Sequence, residues 1–359
     1  MIIDKIRSAV LESNKNIVVK NCPSEEILSD ECEVKINTAG LCSSDIARAF
    51  VDGAYFYPLV MGHELAGTIT QVGDNSSDQF VIGDKVSVFP LLPCFKCSFC
   101  KKKLYALCSD YDYYGSRRNG GFAQKLNVKK WNLLKLPDGV SLEDGALVEP
   151  TAVVLHAIKK LDINFDDSVK LALIGAGFLG LIAVQVINKF YPKCEVTLID
   201  RNQFKLAIGV KYGTKPQLVD DKESWEKFLA DNENRFDKVL EFAGTAETFS
   251  AVIHIACPSA RVIWAGNISG DLTLSKSQVS SILRKEITIM GTWNSIYKGV
   301  DACDWTESLG LISKGLKPSE LVSLRIDLDE ISETLRKLYA HKNRDSKFEV
   351  IKVLVKPNG

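Results

Sequence analysis

Val169-Lys170-Leu171-Ala172-Leu173-Ile174 runs straight into Gly175-Ala176-Gly177-Phe178-Leu179-Gly180, and the fold turns on that junction. The first six residues read as a buried strand. Leu181-Ile182-Ala183-Val184-Gln185-Val186-Ile187 continues as an apolar helix, and Glu195-Val196-Thr197-Leu198-Ile199-Asp200 is a second strand ending in an acid. A G-x-G-x-x-G pattern alone says little. Here it follows a strand, opens a helix and has an acid 20 residues past its third glycine, all within one βαβ unit. Gly175 permits the tight turn, Gly177 lets the backbone approach a pyrophosphate, and Gly180 lets helix and strand pack closely. Phe178 and Leu179, within the motif, are expected at the cofactor, and the helix N-terminus offers unpaired N–H groups and a dipole that favour phosphate. Asp200 suits both ribose hydroxyls and repels a 2′-phosphate, so NAD is expected over NADP; Arg201 beside it works against that preference.

Working outward, Lys238-Val239-Leu240-Glu241-Phe242, Arg261-Val262-Ile263-Trp264-Ala265 and Ile287-Thr288-Ile289-Met290 are further strand-like runs with helical patterns between them. They make this half an α/β doubly wound parallel sheet. Residues 1 to about 150 read differently. Glu33-Val34-Lys35-Ile36-Asn37 alternates polar and apolar, Gly67 to Asp74 runs β-branched into a Gly-Asp turn, and Phe80 to Val88 repeats the pattern. Short strands broken by glycine turns suggest a partly closed barrel or sandwich. The tail from Thr292 reads as helices plus a final strand, Phe348 to Val355.

Composition narrows the class. A chain of 359 residues exceeds what one compact core accommodates, so two domains are expected. Lysine plus arginine and aspartate plus glutamate are 45 each, a formal net charge of zero, which gives no support for a nucleic-acid or membrane partner. No apolar run approaches the roughly 20 residues needed to span a bilayer. Met1-Ile2-Ile3-Asp4-Lys5-Ile6-Arg7 lacks the order of a signal peptide, and a cytoplasmic protein is expected.

Of the ten cysteines, four crowd at Cys94, Cys97, Cys100 and Cys108. Clustering without an export signal points to metal rather than disulfides. Four thiolates at tetrahedral geometry make a closed structural zinc site. The ferredoxin run has three residues before its last cysteine and then proline, whereas this chain has seven residues and then Ser109. A second constellation lies in Gly40-Leu41-Cys42-Ser43-Ser44-Asp45 and Met61-Gly62-His63-Glu64. Sulfur, imidazole nitrogen and carboxylate oxygen together suit zinc, with a fourth position left for substrate. Asp45 is read either as a partner of His63 or as the cap of a helix beginning near Ile46. Glu149, directly before Pro150, is expected at an irregular junction rather than on a helix face. Tyr114-Gly115-Ser116-Arg117-Arg118-Asn119-Gly120-Gly121-Phe122 reads as a turn, and its arginines as either solvated or anion-binding.

Taken together, these motifs resemble the zinc-dependent medium-chain alcohol and polyol dehydrogenases over nearly the whole chain. Pro90-Leu91-Leu92-Pro93-Cys94-Phe95, Gly115-Ser116-Arg117-Arg118, Ile282-Leu283-Arg284-Lys285-Glu286 and Asp52-Gly53-Ala54-Tyr55-Phe56-Tyr57-Pro58 resemble members that act on a sugar-alcohol phosphate. The resemblance implies a GroES-like β-rich catalytic domain with a structural zinc lobe over 1–152 and a Rossmann NAD-binding domain over 153–291. It also implies a return to the catalytic domain over 292–359. It further implies two zinc ions per subunit, a catalytic set of Cys42, His63, Glu64 and Glu149, and a structural set of Cys94, Cys97, Cys100 and Cys108. The implied reaction is NAD-linked oxidation of galactitol 1-phosphate to tagatose 6-phosphate by a cytoplasmic homo-oligomer, a dimer. Ser44 is expected to take the first proton of a relay to solvent, and Arg48, Arg117 and Arg118 are candidates for the phosphate. Ser43 departs from the glycine of many relatives but removes no ligand. The competing readings are a dehydrogenase of a free polyol or another sugar phosphate and, more distantly, a non-enzymatic nucleotide- or zinc-binding module.

Overall fold

The structure, a computed structural model, describes residues 5–342 and 348–359. Residues 1–4, part of the stretch read for a leader, lie outside the described residues. The chain divides into two compact units, one made of Met1–Pro150 with Ile296–Gly359 and the other of Thr151–Ser295. No helix among the described residues is long and apolar enough to cross a membrane.

In the first unit the strands pair antiparallel around Glu31–Gly40. Glu64–Val72 lies on one side and Lys352–Val355 on the other, the latter in the register Leu354 to Gly40. Lys85–Val88 and Leu133–Lys135 extend the sheet beyond Glu64–Val72, and Val322–Ile326 extends it in parallel beyond Lys352–Val355. The tail of the chain is thus an interior strand of the N-terminal sheet. Alternation along Glu31–Gly40 sends Cys32, Val34 and Ile36 into a core shared with Leu11, Leu65, Phe122 and Val353. Phe80 to Asp84 is a turn and not the start of the following strand. Gly83 takes φ +96 there, and Val81 and Ile82 are exposed.

The second unit carries the sheet order Lys215–Leu218, Glu195–Asp200, Lys170–Ile174, Phe236–Glu241, Ala256–Trp264, Thr288–Gly291, parallel throughout. The order reverses between Lys170–Ile174 and Phe236–Glu241, the place where such sheets bind dinucleotides beyond their carboxyl ends. Helices cover both faces because the strands are apolar on both, as the fully buried Leu171, Ala172 and Leu173 show.

Candidate metal centres and dinucleotide turn

Cys42 caps the helix Ser43–Phe50 in extended backbone, and the Asp45 carboxylate accepts the Cys42 N–H at 3.0 Å. The other Asp45 oxygen lies 3.6 Å from His63 Nδ1 and 3.4 Å from the Arg48 guanidinium. The helix begins at Ser43 rather than near Ile46, so Asp45 is not its cap; as the third helical residue it closes a capping box with Cys42 while also facing His63. Burial would raise its pKa, but His63 and then Arg48 reverse this and hold it below the usual carboxylate range.

His63 reaches the site on a backbone that other glycines clasp. Gly62 takes φ +95, and a Cβ there would lie 2.6 Å from the Phe122 ring. Gly121 N donates to Gly62 O at 2.8 Å, and Asn119 Oδ1 accepts from Val60 N at 3.0 Å. Asn119-Gly120-Gly121, expected only as a turn, holds the His63 segment in place. Glu64 opens the strand Glu64–Val72, and Gly40 is needed opposite it, since a Cβ there would come within 2.0 Å of Glu64 Oε2. One sulfur, one nitrogen and one oxygen from Cys42, His63 and Glu64 lie within 4.8 Å of one another, as a single small ion requires.

Two residues of this centre went unread in the sequence. Lys352 reaches in from its strand, donates to Leu41 O at 2.9 Å and pairs with Glu64, both side chains being buried. A lysine amid Val350-Ile351-Lys352-Val353-Leu354-Val355 was the available signal, because lysine is rarely buried unless paired. Tyr113 sets its ring edge on His63 at 5.9 Å between centroids, and its hydroxyl lies 3.5 Å from Glu149 Oε1. Burial, then Glu149 and Cys42, push that phenol well above its ordinary pKa, so it stays protonated as a donor.

Glu149 corrects an expectation. It sits in the first turn of the helix Val148–Lys160, not at an irregular junction. Pro150 is tolerated there because the first N–H groups of a helix have no intrahelical partner. Glu149 is buried beside this centre but outside the trio that closes within 4.8 Å. Burial lifts it to about 7, with Glu64 adding to the effect and His63, Lys352 and Tyr113 opposing it. Ser44, half-buried, lies in the first turn after Cys42.

The cysteine lobe is more compact. All four sulfurs lie within 4.8 Å of one another, with Cys94 to Cys100 and Cys97 to Cys108 at 3.9 Å. Tetrahedral zinc with sulfur at about 2.3 Å needs sulfurs roughly 3.8 Å apart. The N–H of Cys97 points at the Cys94 sulfur and that of Cys100 at the Cys97 sulfur, each at 3.4 Å. Such donors, from Cys100 and Ser109, bring Cys97 down to about 5 and favour the thiolate. The lobe is rooted by aromatics: Phe95 and Tyr105 set their edges on Trp131, which meets Phe89 and Tyr297. All ten cysteines are free thiols.

Arg118 pairs with Asp112 at 3.2 Å. Arg117 is held between the rings of Tyr55 and Tyr111, at 4.6 and 4.4 Å, and lines a cavity of about 600 Å³ with Lys96 and Asp110.

In the second unit Gly175 takes φ +101, and a Cβ on Gly180 would lie 2.0 Å from Gly175 O. A Cβ on Gly177 would meet open space, the room a close-lying phosphate needs. Gly177 caps the helix Phe178–Phe190 with no side chain, leaving its first N–H groups to a ligand. Asp200 accepts from Ala176 N at 2.6 Å and from Asn202 N at 2.8 Å, so it braces the turn. Arg201 is exposed.

Residues 29–138 match the alcohol dehydrogenase GroES-like domain and residues 179–313 the zinc-binding dehydrogenase model. The chain is 37% identical to galactitol 1-phosphate 5-dehydrogenase of Escherichia coli (strain K12) over 310 residues, 86% of this chain and 88% of that one. It is 26% identical to sorbitol dehydrogenase of Bacillus subtilis over 98% of both chains. The crystal structure of galactitol-1-phosphate dehydrogenase from Escherichia coli superposes with a TM-score of 0.86 at 32% identity, over 98% of this chain and 100% of that one. The chain is a member of the zinc-dependent medium-chain alcohol and polyol dehydrogenases.

Proposed function

We propose that this enzyme oxidises a sugar-alcohol phosphate with NAD, converting galactitol 1-phosphate to tagatose 6-phosphate, and that each subunit holds two zinc ions. The observation that carries this reading is the donor trio of Cys42, His63 and Glu64, closed within 4.8 Å, in a chain 37% identical to a galactitol 1-phosphate 5-dehydrogenase. The mixed sulfur, nitrogen and oxygen set fits a catalytic zinc with one open position, and the four-thiol set fits a structural one. Zinc in the first set would serve as a Lewis acid toward the substrate hydroxyl.

The chain's own groups do the rest. Ser44, in the turn after Cys42, passes the hydroxyl proton outward as a conduit, since serine is not itself a base. Asp45 orients His63. Tyr113, protonated, holds Glu149 by donating to it, and Lys352 balances the Glu64 carboxylate. Asp200 favours NAD by accepting from ribose hydroxyls while repelling a 2′-phosphate. For the substrate phosphate Arg117 has the best support, because its described contacts are rings and the Tyr111 carbonyl, whereas Arg48 and Arg118 already meet carboxylates. The family likeness supports a dimer located in the cytoplasm.

The second reading, a free polyol as substrate, is favoured by the likeness to a sorbitol dehydrogenase over 98% of the chain. An NAD-reduction screen across phosphorylated and free alditols, with zinc measured on the same sample, separates the two. Faster turnover of a free alditol ends the phosphate reading, and loss of Arg117 without effect on KM for the phosphate ester ends the assignment of that residue.

A further inference from the structure

Where the sheet order reverses, the strand Phe236–Glu241 ends in a carboxylate with no exposed surface. Donors of the N–H and O–H type face it. Glu241 Oε1 accepts from Gly244 N and from Thr248 Oγ1, each at 2.8 Å. Oε2 has no partner among the described residues and lies 2.8 Å from where a Cβ on Gly266 would sit. Burial pushes the carboxyl above its ordinary pKa, while Thr248 and the surrounding N–H groups pull the other way. A buried acid is strongly disfavoured unless its surroundings hold it for a purpose or satisfy it fully.

Its ties converge on two loops. The Glu241 carbonyl accepts from Ala265 N at 2.9 Å and Gly266 N at 2.8 Å. Ser269 then donates to Gly244 O through N at 2.9 Å and through Oγ at 3.1 Å. Segments 242–245 and 265–269 are therefore laced together by the Glu241 carbonyl and by Ser269 on Gly244, and the Glu241 side chain fixes Gly244 itself. The first abuts the glycine-rich turn: Phe242 N donates to Ile174 O at 2.8 Å, and a Cβ on Gly175 would lie 2.9 Å from Ala243 N. Thr248 is the third residue of the helix Ala246–Ile255, so the same oxygen fixes that helix's entry.

We propose that Glu241 is a positioning residue of the dinucleotide site, fixing segments 242–245 and 265–269 as one floor beside Gly175 for the cofactor half beyond the pyrophosphate. This rests on the dinucleotide reading above. A residue that merely stabilised the sheet would alter the melting temperature and leave cofactor affinity alone.

NADH binding, followed by nicotinamide fluorescence, is compared for the unaltered holoenzyme, Glu241→Ala and Glu241→Gln, with thermal melting and zinc content on the same samples. Glu241→Ala weakens NADH about tenfold or more, with zinc content unchanged. Glu241→Gln keeps an oxygen for Gly244 N and Thr248, and binds within about threefold of the unaltered protein. The assignment falls if Glu241→Ala binds NADH within about twofold, or if glutamine is as poor as alanine. Should Glu241→Ala fail to fold, Thr248→Val removes one tie to Oε1, and unchanged NADH affinity in that variant overturns the assignment. Failure of the unaltered protein to bind NADH would instead sink the dinucleotide reading, and the role of Glu241 with it.

Discussion

The two candidate metal clusters of the first unit are built in opposite ways. Cys94, Cys97, Cys100 and Cys108 come from one short segment, and the N–H groups of the first three point at sulfurs of the set. Cys42, His63 and Glu64 meet only because two strands pair, and their charge partner Lys352 arrives from the far end of the chain, with Lys352 and Leu41 separated by 311 positions. A local cluster can assemble as soon as its loop closes, at modest entropic cost. A distributed one exists only when the whole sheet has formed. The lobe should therefore respond to damage through stability, and the trio through chemistry.

The sharpest way to break this contrast is Cys42→Ser. Losing one ligand of the proposed Lewis acid site should lower turnover by about a thousandfold, the equivalent of roughly 4 kcal/mol. NADH affinity and the zinc of the lobe should be unchanged. Steady-state NAD reduction beside zinc analysis decides it, and full turnover from a sample lacking the second zinc would refute the catalytic assignment. Cys97→Ser is the converse. It should cost about 4 kcal/mol in urea unfolding, as loss of a structural metal does, while kcat per folded molecule stays within about twofold. A fall in kcat with unchanged stability would erase the contrast.

Lys352 tests the distributed cluster at its partner rather than at a ligand. In zinc-free protein, Lys352→Met leaves Glu64 buried and uncompensated, and about 3 kcal/mol of stability should be lost. Adding Glu64→Gln should restore most of it, because the damage lies in the stranded charge. Equilibrium unfolding of the single and double variants gives the answer. A loss below about 1 kcal/mol in the single variant would mean that the pair is not the anchor it looks to be.

What the sequence disclosed follows the same division. The glycine-rich turn and the four-cysteine lobe were legible because every residue they need lies within one short run. Cys42, His63 and Glu64 were legible as types, but that they come within 4.8 Å depends on strand pairing. Tyr113 and Lys352 were missed for that reason; neither has a motif, and each matters through what the sheet lays beside it. Glu149 was expected outside a helix because a residue before proline avoids helical backbone, yet the first turn of Val148–Lys160 absorbs the proline at no hydrogen-bond cost. Phe80 to Asp84 carried the β-branched pattern of a strand, and Gly83 with its positive φ turned it into a loop.

The weakest expected effect concerns how the returning tail is stapled to the sheet. Glu143, in the helix Leu142–Ala146, takes a two-pronged bond from Arg325 at 2.9 and 2.7 Å and pairs with Lys356 at 2.7 Å, just past the strand that carries Lys352. Arg325, and then Lys356 against the opposing effect of partial burial, hold the Glu143 carboxyl down at about 2. Its pKa in the folded chain thus lies below its unfolded value, so the staple contributes fully above about pH 4.5 and is lost as pH falls toward 2. The Arg325 side chain is 48% exposed, and solvent screening reduces the contribution to about 1 kcal/mol. Glu143→Gln should remove that increment at pH 7 and flatten the acid limb of the stability curve, while zinc in the lobe is unaffected. A variant whose urea midpoint tracks the unaltered protein between pH 5 and pH 3 would show that the tail is held by strand pairing alone, making the distributed cluster less dependent on surface charge than the local geometry implies.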